Sequence, residues 1–352
     1  MKEKTVYIEL LRIMAAFAVI LIHVVAILIT HYSIGSSDWI VCAVLGSLSR
    51  WSIPLFFMIS GCVFLNRDKQ IALKVILKKY ISKMLVVLTI WGGFFYFFEL
   101  WIYSQPISSK NFLLAPINIL AGRTGYHLWY LYAIIPIYLL MPALKVFVDG
   151  ATREQQKNTL LTVMLLCGGL NLFNSVTERI PQLRGIISIG VTLPEICGYV
   201  GCVLAGYFLA HFELDMTEKK VLTTTAVVSL ICMPIASIAL SLLNNAYDTT
   251  LSAYTGICSI SVAGWIFFSL KHKANCLQNS KWKYVVLNFG GTTFGIYLVH
   301  VIFVSIIFHK LPIAWSKMNA LLVIFICTFF VFGASYTISY LLGKTPLISK
   351  IT

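Results

Sequence analysis

Residues 7–30 form an apolar run that carries three ionisable side chains, Glu9, Arg12 and His23. The run is long enough to cross a bilayer, which takes about 20 apolar residues. A charged side chain at mid-membrane costs about 2.5–3.5 kcal/mol on insertion scales, so the fold has to shelter these groups. Their spacing says how. Arg12 and His23 are eleven residues apart, which at 3.6 residues per turn returns to nearly the same helix face about 16 Å further along. Glu9 lies three residues before Arg12, within reach on that face. One stripe of the helix therefore carries a carboxylate, a guanidinium and an imidazole. Such a stripe is expected to line a protein interior or a wet cavity rather than face lipid.

The rest of the chain repeats the apolar theme. Of 352 residues, 59% are hydrophobic and only 11% charged, with a mean hydropathy of +0.86; soluble domains carry about 25% charged residues. The expected class is an all-α polytopic integral membrane protein forming a single domain over 1–352. Ten spans are expected at roughly 8–30, 39–65, 84–103, 128–148, 158–176, 191–211, 220–243, 251–270, 286–308 and 318–343. The first is read as a permanent span and not a cleavable signal, because it is longer than a signal h-region and interrupted by Arg12. An even number puts both termini on one side, and the positive-inside rule places that side in the cytoplasm. Segments 1–7, 66–83, 144–157, 212–220, 271–285 and 344–352 hold 19 Lys and Arg, and the opposite loops hold six. This asymmetry accounts for most of the net charge of +14, so no nucleic-acid partner is expected; membrane lipids are. The nine cysteines show no CxxC and no zinc-type spacing with histidine, so no metal site is expected. The loop near 104–127, with Pro106 and Pro116, is a candidate for a short interfacial helix. No internal repeat is visible.

Further stretches carry chemistry. In the second span, Arg50-Trp-Ser-Ile-Pro54 precedes Ser60-Gly61. Pro54 frees a backbone carbonyl one turn back, and Arg50 either faces the interior shared with His23 or reaches outward to the interface. The following loop is the most basic in the chain, and Lys78, Lys79 and Lys83 lead from it into the third span. They serve as a topology signal or as a phosphate-binding patch. Gly125-Tyr126-His127-Leu128-Trp129-Tyr130 opens the fourth span, either as an aromatic belt or as a polyol-binding entrance. In the ninth span Tyr297 and His300 share a face; His300 is either a site residue or a histidine satisfied by a backbone carbonyl. Glu99 and Glu195, near outer helix ends, rank lower.

These motifs together resemble one family. Glu9-Leu-Leu-Arg12 followed by His23, Arg50-Trp-Ser-Ile-Pro-Leu-Phe-Phe-Met-Ile-Ser-Gly61, His127-Leu-Trp-Tyr-Leu-Tyr and Phe294-Gly-Ile-Tyr-Leu-Val-His300 occur in the order seen in the membrane acyltransferase-3 family, stand-alone type. The resemblance implies transfer of an acetyl group from cytoplasmic acetyl-CoA, as co-substrate, to a hydroxyl of an extracytoplasmic glycan or lipid-linked sugar, in a bacterial inner membrane. It implies His23 as general base or acetylated intermediate, Arg12 at the donor with Glu9 holding it, and Lys78, Lys79, Lys83 and Arg50 as donor-binding or interior residues. His127, Trp129, Tyr130, Tyr297 and His300 fall on the acceptor side. Two departures stand out: lysines occupy the loop where the family often has arginines, and Glu9 stands where it often has Asp. The oligomeric state is not expressed in the sequence. The rival expectation is a proton-coupled secondary transporter or a glycan flippase, which would also place Arg, His and Glu within the membrane.

Overall fold

In lipid every backbone N–H and C=O must be satisfied within the protein, and apolar runs of this length answer that demand as helices. The computed structural model describes residues 6–66, 71–177, 192–274 and 281–345. It is 83% helical, with no strand among those residues. The helices are α1 (Val6–Leu28), α2 (Ser37–Leu48), α3 (Ser52–Phe64), α4 (Leu73–Ile102), α5 (Ser109–Leu120), α6 (Trp129–Gly150), α7 (Arg153–Thr177), α8 (Thr192–His211), α9 (Met216–Asn244), α10 (Ile257–Lys273), α11 (Trp282–Gly291), α12 (Thr293–Lys310) and α13 (Ala320–Gly343). The basic residues Lys2, Lys4, Arg67, Lys69, Arg179, Arg184 and Lys350, used in the orientation argument, lie outside the described residues.

Seven helical segments are long and apolar enough to span a bilayer: Val6–His31, Ser37–Phe64, Leu73–Ile102, Tyr126–Gly150, Met216–Asn244, Thr293–Lys310 and Ala320–Gly343. The chain is thus an all-α, multi-pass membrane protein. The three other expected spans coincide with α7, which opens on the polar run Arg153-Glu-Gln-Gln-Lys157, with α8, whose Glu195–His211 is a shorter apolar stretch, and with the 17-residue α10, which ends on Lys271-His-Lys273.

Two expected continuous spans are broken. Between α2 and α3 the chain turns at Arg50, with Ser52 N–H donating to Ser49 O (3.2 Å). Pro54 lies in the first turn of α3, where its missing N–H is harmless, and its ring disfavours an α-helical residue four positions earlier. The expected kink is therefore a break. The second break lies between α11 and α12 at Thr292. Hydroxyls add bonds to the carbonyls around the break: Thr292 Oγ1 donates to Phe289 O, Thr293 Oγ1 to Gly290 O (each 2.8 Å) and Ser339 Oγ to Thr292 O (2.9 Å).

α1 lies at the centre, packed by α2, α3, α10, α11, α12 and α13. α3 and α8 interlock through glycines. A Cβ on Gly61 would lie 1.8 Å from Val203 O, and one on Gly206 would lie 1.8 Å from Met58 O. This is the small-residue contact by which membrane helices approach closely.

The loop 104–127 holds the expected short helix, α5 (Ser109–Leu120). α5 runs antiparallel along α4: Phe112 packs on Phe97 (4.8 Å between ring centroids), and Ile119 lies against Gly92. Its Phe112, Leu113, Ile117 and Leu120 are exposed on the outer surface of the bundle. The chain then turns through Gly122 and Gly125, both at positive φ (+68° and +56°), where a side chain would be strained. The turn sets His127 against Phe95 (4.6 Å between ring centroids), about 10 Å along α4 from its Ile102 end.

We expect Gly206→Ala to destabilise the protein by at least about 1–3 kcal/mol, the usual cost of overpacking. Gly93→Ala, where the added methyl meets nothing within 4 Å, should be neutral. Thermal unfolding of the two variants in the same detergent checks this, and equal midpoints would refute the interlock.

Candidate active site

The charged stripe of α1 is sheltered as its spacing requires. Glu9 is buried at 2% exposure, and its Oε1 accepts from Arg12 Nη1 at 2.7 Å. The other carboxylate oxygen, Oε2, has no hydrogen-bond partner and packs on Gly290, where a Cβ would come within 2.2 Å of it. Gly290 thus makes the room that Glu9 occupies, and α11 closes over the pair. Arg12 keeps 30% of its side chain accessible, so its guanidinium is anchored and still available.

Arg12 faces a cavity of about 430 Å³ between α1, α3, α4, α6, α11 and α12. One end is polar, with Arg12, Lys83 and the Gly290-Gly291 backbone; the other reaches Tyr130 and Tyr297. Lys83 is half-buried and its ammonium lies over the Phe294 ring at 5.2 Å. Lys78 and Lys79 are exposed. The sequence puts Lys79 and Lys83 on one face, but residues Ile76–Ile81 form a π turn. A π turn has i→i+5 bonding, which changes the register between Lys79 and Lys83. Only Lys83 enters the cavity.

Val19 lines the same cavity, and His23 lies one helical turn further along that face of α1. His23 belongs to a three-histidine cluster. Its ring centroid is 5.1 Å from that of His300 and 5.1 Å from that of Tyr126, and His127 is 5.4 Å from His300. His300 Nδ1 faces two carbonyls, Tyr297 O at 2.7 Å and Ile296 O at 3.2 Å. Both are acceptors, so Nδ1 carries the proton and the neutral ring presents a lone pair at Nε2. His300 Nε2 and the His127 ring are buried inside this cluster. Tyr126 is 50% exposed and opens the cluster to the surface.

The loop that carries His127 is fixed from two sides. Tyr297 donates from its hydroxyl to His127 O (2.7 Å), and Gly125 N–H donates to Glu99 Oε1 (3.1 Å). Sequence reasoning ranked Glu99 low because it reads as an interfacial carboxylate near a helix end. Its role depends on a chain reversal between residues 104 and 125 that no local pattern announces.

Of the expected site residues, Arg12, Lys83, Tyr130 and Tyr297 line the cavity, and Glu9 holds Arg12. His23, His127 and His300 cluster beside it and meet it through Tyr297, whose ring centroid is 5.6 Å from that of His127 and 6.2 Å from that of His300. Arg50 and Trp129 lie elsewhere. Arg50 Nε donates to Ser252 O (2.7 Å) and its guanidinium lies 4.3 Å from the Tyr254 ring centroid. Trp129 stacks on the same tyrosine at 5.8 Å and 17°.

The chain is thus a multi-pass helical membrane protein with a cavity lined by Arg12 and Lys83 and a histidine cluster beside it. The family model described as an acyltransferase domain, acyltransferase-3, matches residues 5–340, and the chain belongs to that family. It is a membrane acyltransferase. No curated protein and no solved structure matches it.

Glu99→Ala removes the acceptor for Gly125 N–H, whereas Glu99→Gln keeps a carbonyl oxygen there. We expect Ala to lower acyl-transfer activity about tenfold or more, the scale of one buried hydrogen bond at 1–3 kcal/mol, and Gln to retain most of it. Parallel rate measurements on the two variants decide the matter. Equal losses would show that the loop does not depend on this bond.

Proposed function

We propose that the protein transfers an acetyl group from cytoplasmic acetyl-CoA to a hydroxyl of an extracytoplasmic glycan or lipid-linked sugar, in the bacterial inner membrane, with ten spans and both termini cytoplasmic. The observation that carries this reading is the shared face of α1. It places Arg12 and Val19 on the cavity and His23 in the histidine cluster, so that donor and acceptor ends are joined by one helix.

The donor enters at Arg12 and Lys83. A cavity of about 430 Å³ lies toward the small end of ligand pockets, about 300–1,000 Å³. It takes the thioester and its pantetheine arm, while the nucleotide phosphates stay outside near the exposed Lys78 and Lys79. Lysine suits phosphate as a point charge. Glu9 holds Arg12 and offsets its desolvation.

At the other end the acceptor hydroxyl approaches past Tyr126. Its oxygen attacks the thioester carbonyl, the C–O bond forms, and the C–S bond breaks with its electron pair going to sulfur. His23 takes the hydroxyl proton as general base, a role imidazole fills near neutral pH. His300, with its lone pair on Nε2, stands beside it to hold or pass on that proton, which ends on the CoA thiolate.

We expect His23→Ala to lower CoA release from acetyl-CoA by about 10²–10⁴-fold, the usual contribution of a positioned base, in membranes where the variant is inserted normally. Radiolabel from the acetyl group should appear in an acceptor fraction for the wild type and not for the variant. Unchanged release in His23→Ala would remove the base from this scheme.

A further inference from the structure

Arg50 has no place in the donor cavity, and its surroundings are those of a second site. It stands at the break between α2 and α3, within a membrane-spanning segment. An ionisable residue at such a position normally has a charged or carbonyl partner and marks a site. Arg12 has Glu9. Among the described residues Arg50 forms no ion pair with any carboxylate; its protein partners are the Ser252 carbonyl and the Tyr254 ring. One edge of the guanidinium is thus fixed, and its planar fork matches carboxylate and phosphate geometry.

The loop between α9 and α10 that supplies Ser252 and Tyr254 is itself built inward. Asp248 N–H donates to Ser241 Oγ (2.8 Å), Ser237 Oγ donates to Asp248 O (2.6 Å), and Ser259 Oγ donates to Ser252 O (3.2 Å). Beside Arg50, Tyr254 and Trp129 stack face to face, and Trp129 also lies 6.1 Å from Tyr199. Arg50, Trp129 and Tyr254 are each only partly buried. Trp129 is two residues beyond His127, so this aromatic wall adjoins the histidine cluster through a single turn of chain.

We propose that Arg50, Tyr254 and Trp129 form an acceptor subsite for an anionic sugar, with the sugar ring on the aromatic wall and its negative group on the Arg50 guanidinium. This rests on the transferase reading for its purpose but not for its test. The shared chemistry is a sugar bearing a carboxylate or a phosphate; a neutral glycan lacks the group that Arg50 would hold.

Saturation-transfer NMR on the full chain in nanodiscs reads binding without turnover. The probes are methyl β-D-glucuronoside, glucose 1-phosphate and, as the neutral control, methyl β-D-glucoside. We expect wild type to saturate at least one anionic sugar several-fold more than the neutral one, and which one responds separates carboxylate from phosphate recognition. Arg50→Gln should bring that signal down to the neutral level. Trp129→Leu, which leaves Arg50 in place, should lower it as well and covers the case in which Arg50→Gln fails to insert. Gly93→Ala, where the added methyl meets nothing within 4 Å, should leave it unchanged. Equal signals for charged and neutral sugars in wild type, or an anionic preference that survives Arg50→Gln or Trp129→Leu, would overturn the subsite. A normal binding pattern without any CoA release would instead fault the transferase chemistry alone.

Discussion

The structure is organised by the need to keep an ion pair out of lipid. Glu9 and Arg12 cannot face hydrocarbon, and a pair broken in the interior leaves an uncompensated charge. The bundle meets that demand by surrounding α1 with six other helices and by giving Glu9 a glycine, Gly290, to lie against. The same arrangement leaves Arg12 partly open to a cavity. Shelter and access come from one device: a helix whose polar stripe is enclosed by protein over its whole length and wetted only where a ligand enters.

A second constraint is the assembly of the histidine cluster. α1 and α12 deliver His23 and His300 directly, but α6 begins only at Trp129. α5, running back along α4, and the glycine turn set His127 against Phe95. Glu99 and Tyr297 then fix the turn through one backbone N–H and one backbone carbonyl. Irregular backbone is tolerated there because it is held by protein groups.

What could be read from the sequence follows from which information is local. The stripe Glu9–Arg12–His23 is a matter of helical period, and the structure places it as the period requires. The pairing of Tyr297 with His300 is legible for the same reason. The π turn at Ile76–Ile81 is not, since nothing in Ile-Leu-Lys-Lys-Tyr-Ile marks i→i+5 bonding, and it separates Lys79 from Lys83. The packing of α5 along α4 left a signal in the sequence: Phe112-Leu-Leu-Ala-Pro-Ile-Asn-Ile-Leu120 is too apolar for an aqueous loop, and Gly122 and Gly125 follow it at turn spacing. Arg50 with Tyr254 joins positions 204 residues apart in the chain, and no spacing rule reaches that far. The position of Arg50 in a span pointed to function, but only the fold shows that it faces the aromatic wall.

The central claim is that one path runs from Arg12 and Lys83 to the histidine cluster, with the donor confined to the first end. Sealed vesicles of known orientation, supplied with labelled acetyl-CoA on one face at a time, test it directly because the donor does not cross a bilayer unaided. Label should reach an acceptor only when acetyl-CoA is on the face where α1 begins, and Lys83→Ala should raise the donor concentration required. Equal labelling from both faces, or labelling only from the face nearer Tyr126, would contradict the account.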